Sequence, residues 1–189
     1  MIAARLAPSD LDWEVRTMTR TDETRTSTPP RKWRTVDIIV TAVLGVAFGV
    51  VFWAWNLFGT AIGPALDGLG PLRAVLNGVY LVPGVVAGLL IREPGAATFA
   101  STIAAVVSVL LGSSFGGIIF VYGFAQGFGA ELGFLLTRYR RFGVPVAVLA
   151  AFLAGLATSI LDVTLYYPTF SPAWITGYFV LTVLSSLVL

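Results

Sequence analysis

The chain has 189 residues, 57% of them hydrophobic and only 12% charged, with a formal net charge of +2 and a mean hydropathy of +0.86. Globular domains carry about twice that charged fraction, so this chain cannot clothe itself in polar surface and belongs in a bilayer. It has no cysteine and no histidine, which excludes disulfides, thiol nucleophiles, histidine-based triads and any zinc or haem site built on those side chains.

Seven of the twelve basic residues precede position 35 (Arg5, Arg16, Arg20, Arg25, Arg31, Lys32 and Arg34). The net charge therefore describes a basic tail attached to a nearly neutral body. It forms no face of a folded domain, so nucleic acid is not an expected partner. Residues 1–35 have neither the apolar core nor the small-residue cleavage site of a signal peptide. Their polar, Thr-rich stretch TRTDETRTSTPPRKWR predicts a disordered cytoplasmic tail.

From Asp37 onward six apolar spans alternate with short breaks, near 37–58, 71–91, 96–112, 117–137, 143–165 and 173–189. About 20 residues cross the hydrocarbon as a helix. The expectation is an all-α integral membrane protein, with residues 36–189 forming a six-helix transmembrane substrate-binding domain. The third span is slightly short. The sixth stops at LSSLVL without a polar cap, so the last helix is expected to be truncated. Arg31, Lys32 and Arg34 precede span one, Arg92 lies between spans two and three, and Arg138, Arg140 and Arg141 lie between spans four and five. The alternate loops hold only Arg73. Basic loops favour the inside, which places both termini in the cytoplasm and the protein in the plasma membrane.

Span one contains Thr41, Gly45 and Gly49 at intervals of four. This puts small residues on one helix face, suited either to close packing within the chain or to docking another subunit. Given the topology, Trp53, Trp55 and Asn56 fall near the outer end of span one, while Asn77 lies about two turns into span two and Tyr80 one turn deeper. Pro83 and Gly84 are expected to kink or widen that helix. Tyr122 and Gln126, four apart, share a face of span four. Asp162, Tyr166 and Tyr167 end span five on the outside, where Trp174 and Tyr178 begin span six.

Polar and aromatic side chains thus concentrate in the outer half. An aromatic belt accounts for part of this, chiefly Trp55, Tyr166, Tyr167 and Trp174. It does not account for Asn77, Gln126 or Asp162. The pattern predicts an outward pocket with aromatic walls and a few convergent polar groups, with Trp53, Asn56, Asn77, Tyr80, Tyr122, Gln126 and Asp162 as its substrate-binding residues. Glu131 sits five residues past Gln126, about 140° further around the helix and nearer the cytoplasm. It therefore suits a structural or coupling role, pairing with another helix or a partner subunit.

Chemistry beyond binding finds no support. There is no Walker A sequence, so ATP hydrolysis would belong to other chains. The glycines of GFGAELG lie in a membrane helix rather than after a strand, so a dinucleotide reading fails on context. Asp162 and Glu131 lie at opposite depths, which argues against an intramembrane aspartyl protease. No enzyme, cofactor or metal site is expected.

The segments TAVLGVAFGVVFWAWN, LRAVLNGVYLVPGVVAGLLIREPGAA, IAAVVSVLLG and YGFAQGFGAELGFLLTRYR together resemble the YkoE-type substrate-binding (S) components of energy-coupling factor (ECF) transporters, which are ABC-type vitamin importers. The loop REPGAA with QGFGAE is the most specific part. The resemblance implies six helices that capture thiamine or its hydroxymethylpyrimidine moiety from outside. It also implies a separate transmembrane coupling (T) component and cytoplasmic ATPases as partners, and favours Thr41, Gly45 and Gly49 as a docking surface for the T component. Ser101 and Ser108 stand where the resemblance leads one to expect acidic residues, which weakens the case for a cationic ligand. The alternative is a membrane scaffold or assembly protein whose polar residues join helices. A secondary transporter would want an inverted repeat and midplane carboxylates, and neither is visible.

Overall fold

Residues 33–68 and 70–188 are described by a computed structural model. The tail expected over residues 1–35 lies outside the described residues as far as Lys32, as does Leu189, where the expected truncation falls. Hydrocarbon cannot hydrogen-bond a bare backbone, so apolar spans of this kind close their amides internally as helices. Among the described residues six α-helices result: α1 (Thr35–Asp67), α2 (Val82–Ile91), α3 (Ala96–Leu110), α4 (Ile119–Leu136), α5 (Val144–Leu165) and α6 (Pro172–Val188). A 3₁₀ segment, Gly70–Leu81, runs into α2, and a 3₁₀ turn, Gly116–Ile118, runs into α4. With those extensions, four helices are long and apolar enough to cross a membrane, while α3 and α6 are shorter apolar helices.

Two spans differ from expectation. The first was expected to end near residue 58, yet α1 continues to Asp67 and passes through Pro64. At 33 residues it is about 50 Å long, well beyond a hydrocarbon core of about 30 Å. The second is two-part: 3₁₀ before Pro83 and α-helical from Val82. Proline lacks an N–H and fits the first turn of a helix, so α2 starts there rather than kinking around it.

The bundle is built with its polar groups inside. Thr41, Asn56, Ser108, Thr158, Ser159 and Thr182 are buried, whereas Val43, Leu90, Leu110, Phe124, Leu136 and Val144 are exposed. That inversion suits a lipid solvent, where apolar packing alone gives no preference between helix and tail, and polar side chains gain by meeting each other. Small residues let the helices approach. A Cβ on Gly133 would lie 2.5 Å from the Ala150 Cα, and one on Gly129 would lie 2.8 Å from the Ala154 Cα, so α4 and α5 meet backbone to backbone. Phe134 fills the centre of a cluster with Leu81, Ala97, Ala130, Ala150 and Ala154.

The same test revises the reading of span one. A Cβ on Gly45 would meet Ile103 at 2.7 Å, and one on Gly49 would meet Val107 at 2.5 Å. Thr41 has 0% of its surface exposed, and its hydroxyl donates to the Asp37 carbonyl at 2.6 Å. The Thr41, Gly45 and Gly49 face is therefore covered by α3 of the same chain. It is an internal seam rather than a free docking surface.

Candidate ligand-binding site

A cavity of about 520 Å³ opens at the end of the bundle formed by the late turns of α1, the 3₁₀ segment, the start of α4, the end of α5 and the start of α6. Inward positions on α1 follow helical spacing: Phe52, Trp55, Asn56 and Gly59 all line the chamber. Trp53 does not, because two residues along a helix turn its side chain about 160° away from Trp55. The expectation that Trp53 binds ligand is thereby corrected, and Trp55 takes its place on the wall. The other six expected residues, Asn56, Asn77, Tyr80, Tyr122, Gln126 and Asp162, line this one chamber.

Asp162 is its electrostatic centre. The carboxylate is 8% exposed and accepts hydrogen bonds from the Tyr122 hydroxyl at 2.7 Å, the Tyr178 hydroxyl at 2.8 Å and the Asn77 amide at 2.8 Å. Asn77 also donates to the Tyr178 oxygen at 3.0 Å. Four elements therefore converge on one anion: the 3₁₀ segment, α4, α5 and α6. All three donors are neutral, so they disperse the negative charge without cancelling it. Arg73 lines the same chamber, and its positive charge also acts on Asp162.

A second set is organised by Asn56. Its carbonyl accepts from the Tyr80 hydroxyl, and its amide donates to Ser113 Oγ at 2.8 Å and Ser108 Oγ at 3.2 Å. Ser108 thus serves as an acceptor at the chamber floor, where a carboxylate would have added a second negative charge. Ser101 is buried away from the chamber, and a Cβ on Gly84 would lie 2.8 Å from its hydroxyl oxygen.

Gln126 stands apart from both sets. It lines the chamber, is 4% exposed, and its amide makes no hydrogen bond to any described residue. Because Gln126 lines the chamber, its donor and acceptor are open to whatever group enters there. In the chamber walls, Tyr122 and Tyr166 lie 6.3 Å apart, Tyr167 and Tyr178 5.2 Å, and Phe170 meets Trp174 edge-on at 5.3 Å. Trp55, Tyr166, Tyr167 and Trp174, whose positions an aromatic belt would also explain, all line the chamber. The i, i+4 pair Trp174 and Tyr178, level with Asp162, was the available signal for Tyr178.

Glu131 lies at the opposite end of the bundle. Its carboxylate accepts from the backbone amides of Gly95 at 2.6 Å, Ala97 at 3.0 Å and Thr98 at 3.3 Å, and from the Tyr139 hydroxyl. Gly95 is the N-cap of α3, with φ of 91°, so Glu131 caps α3 from a different helix. The carboxylate satisfies orphan amides and meets the positive end of the helix dipole. Burial and the Glu131 contact raise the pKa of the Tyr139 phenol. Trp33 closes the same end by donating to the Pro94 carbonyl at 3.0 Å.

Six apolar helices around an aromatic, polar chamber at one end define a membrane-embedded protein with a ligand-sized cavity. Residues 36–157 match the family described as the permease component of the ABC-type cobalt transport system. A Bacillus subtilis (strain 168) protein, provisionally named the HMP/thiamine permease protein YkoE, is 32% identical over 161 residues, covering 84% of this chain and 79% of that protein. A crystal structure of an S component of an ECF transporter superposes with a TM-score of 0.77 at 32% identity, covering 82% of this chain and 79% of the other. The chain belongs to this family of transport permease components and is an ECF S component, a multi-pass protein of the cell membrane.

Proposed function

We propose that this S component captures thiamine or its hydroxymethylpyrimidine moiety from outside the cell, with the chamber facing outward and both termini in the cytoplasm. The carrying observation is the Gln126 amide, buried, without a partner and facing an aromatic chamber. An aminopyrimidine offers adjacent donors and acceptors along one edge and a flat face. The amide meets the edge, while the tyrosines and Trp55 take the face. The name of the Bacillus relative supports the same ligand class.

A bare metal cargo fits less well, although the family description names cobalt. Transition metals at such sites are held by several imidazole, thiolate or carboxylate ligands. The chain has no histidine or cysteine, and no group of three suitable side chains forms among the described residues. Release into the cell would require a T component and ATPase subunits, since this chain carries no ATP-binding motif.

The test is titration of the purified, detergent-solubilised protein with thiamine and with hydroxymethylpyrimidine, followed by tryptophan fluorescence. Trp55 and Trp174 line the chamber and report occupancy. Saturable quenching by either compound supports the assignment. No response to either from folded protein refutes it.

A further inference from the structure

Ser185 lies on α6, is 7% exposed and does not line the chamber. Its hydroxyl accepts from the Gly78 amide at 3.1 Å and donates to the Val75 carbonyl at 2.5 Å. Val75 and Gly78 are three residues apart, the span of one 3₁₀ rung, so the hydroxyl bridges the two ends of that rung. One residue further on, the Leu76 carbonyl accepts from the Trp55 indole at 3.0 Å. Side chains from α6 and α1 thus take up backbone groups that an α-helix would pair internally.

This matters because the 3₁₀ segment runs for 12 residues, where runs beyond three or four are uncommon. A 3₁₀ coil rises about 2.0 Å per residue against 1.5 Å for an α-helix, so the segment is about 6 Å longer than its α-helical form. Its side chains at i and i+3 also eclipse, whereas α-helical winding would offset them by about 60°. Asn77 and Tyr80 are such a pair. In the observed winding Asn77 reaches Asp162 while Tyr80 reaches Asn56, so both polar sets depend on the pitch of this segment.

We propose that Ser185 is a positioning residue for the chamber: by bridging Val75 and Gly78 it holds residues 70–81 in 3₁₀ winding and so sets the register of Asn77 and Tyr80. This rests on reading the chamber as the ligand site. Ser185 touches no ligand and acts through the backbone of its neighbour. Ser186 is a matched control, since its hydroxyl bonds the Val183 carbonyl of its own helix at 2.7 Å.

Two measurements on the full chain test this. In ligand-free protein, hydrogen exchange of the peptide spanning residues 75–80 should quicken about tenfold in Ser185→Ala, and less in Ser185→Cys, with Ser186→Ala at the wild-type rate. Unchanged exchange in both Ser185 variants overturns the proposal, whatever the ligand is. Second, Ser185→Ala should lower affinity for hydroxymethylpyrimidine about tenfold, and this loss should vanish in a background that already carries Asn77→Ala and Tyr80→Phe. Equal losses in both backgrounds would mean general destabilisation and would also overturn it. If wild-type protein binds neither compound, the ligand assignment fails, while the exchange result still decides the role of Ser185.

Discussion

The Glu131 carboxylate lies 2.6 Å from the backbone nitrogen of Gly95, 36 residues earlier in the chain, and seals the start of α3 from α4. That contact explains why a membrane helix carries a carboxylate there. Glu131→Gln keeps the shape but removes the charge, and turns one acceptor into a donor facing backbone amides. Losing charge-assisted bonds at a buried cap should cost about 1–3 kcal/mol. The expected outcome is a fall in melting temperature of about 2–4 °C per kcal/mol, with equilibrium affinity for the ligand unchanged. Thermal denaturation beside ligand titration checks it; a loss of affinity at unchanged stability would tie Glu131 to the chamber.

Gln126 should behave in the opposite way. Its amide has no partner among the described residues, so Gln126→Ala removes nothing from the empty protein. Ligand hydrogen bonds disappear, and each 1.4 kcal/mol is tenfold in affinity. Weakening of about ten- to a hundredfold is expected, with the melting temperature held. Wild-type affinity in this variant would remove Gln126 from the site.

Helix spacing gives a third prediction. Gly133→Ala would bring a Cβ within 2.5 Å of the Ala150 Cα and 2.7 Å of its nitrogen. Backbone cannot swing aside, so α4 and α5 must separate, at a cost of about 1–3 kcal/mol. Gly68→Ala meets nothing within 4 Å at a φ of −74° and should leave stability unchanged. Comparable losses in the two variants, seen in thermal unfolding, would count against backbone contact as the cause.

Much of this architecture was legible because lipid imposes simple rules. Apolar run length located all six helices, and polar residues that hydrocarbon would reject marked the chamber. Depth alone, however, leaves rotation about the helix axis open. It could not separate Trp53 from Trp55, whose side chains diverge although they sit two residues apart. Nor could it decide what the Thr41, Gly45 and Gly49 face meets, since small residues suit internal and external seams alike. The 3₁₀ winding of residues 70–81 was hidden for a different reason. It depends on Trp55 and Ser185, partners distant in sequence that supply hydrogen bonds no local pattern encodes.

The charge of Asp162 yields the sharpest test of ligand identity. Its Oδ2 accepts from both Asn77 and Tyr178, while Oδ1 accepts from Tyr122. In Asp162→Asn the new amide nitrogen is therefore best placed toward Tyr122, whose hydroxyl can rotate to accept. The chamber keeps its shape and loses its anion. Thiamine carries a cationic thiazolium that draws on that charge as well as on the aromatic faces; neutral hydroxymethylpyrimidine does not. The variant should bind hydroxymethylpyrimidine within about threefold of wild type and thiamine about ten- to a hundredfold more weakly, since a buried charge pair contributes on the order of 1–3 kcal/mol. Titration of both compounds against both proteins reads the difference directly. Equal losses would show that the carboxylate serves only to hold Asn77, Tyr122 and Tyr178 in place, and recognition would then fall to the Gln126 amide and the aromatic walls.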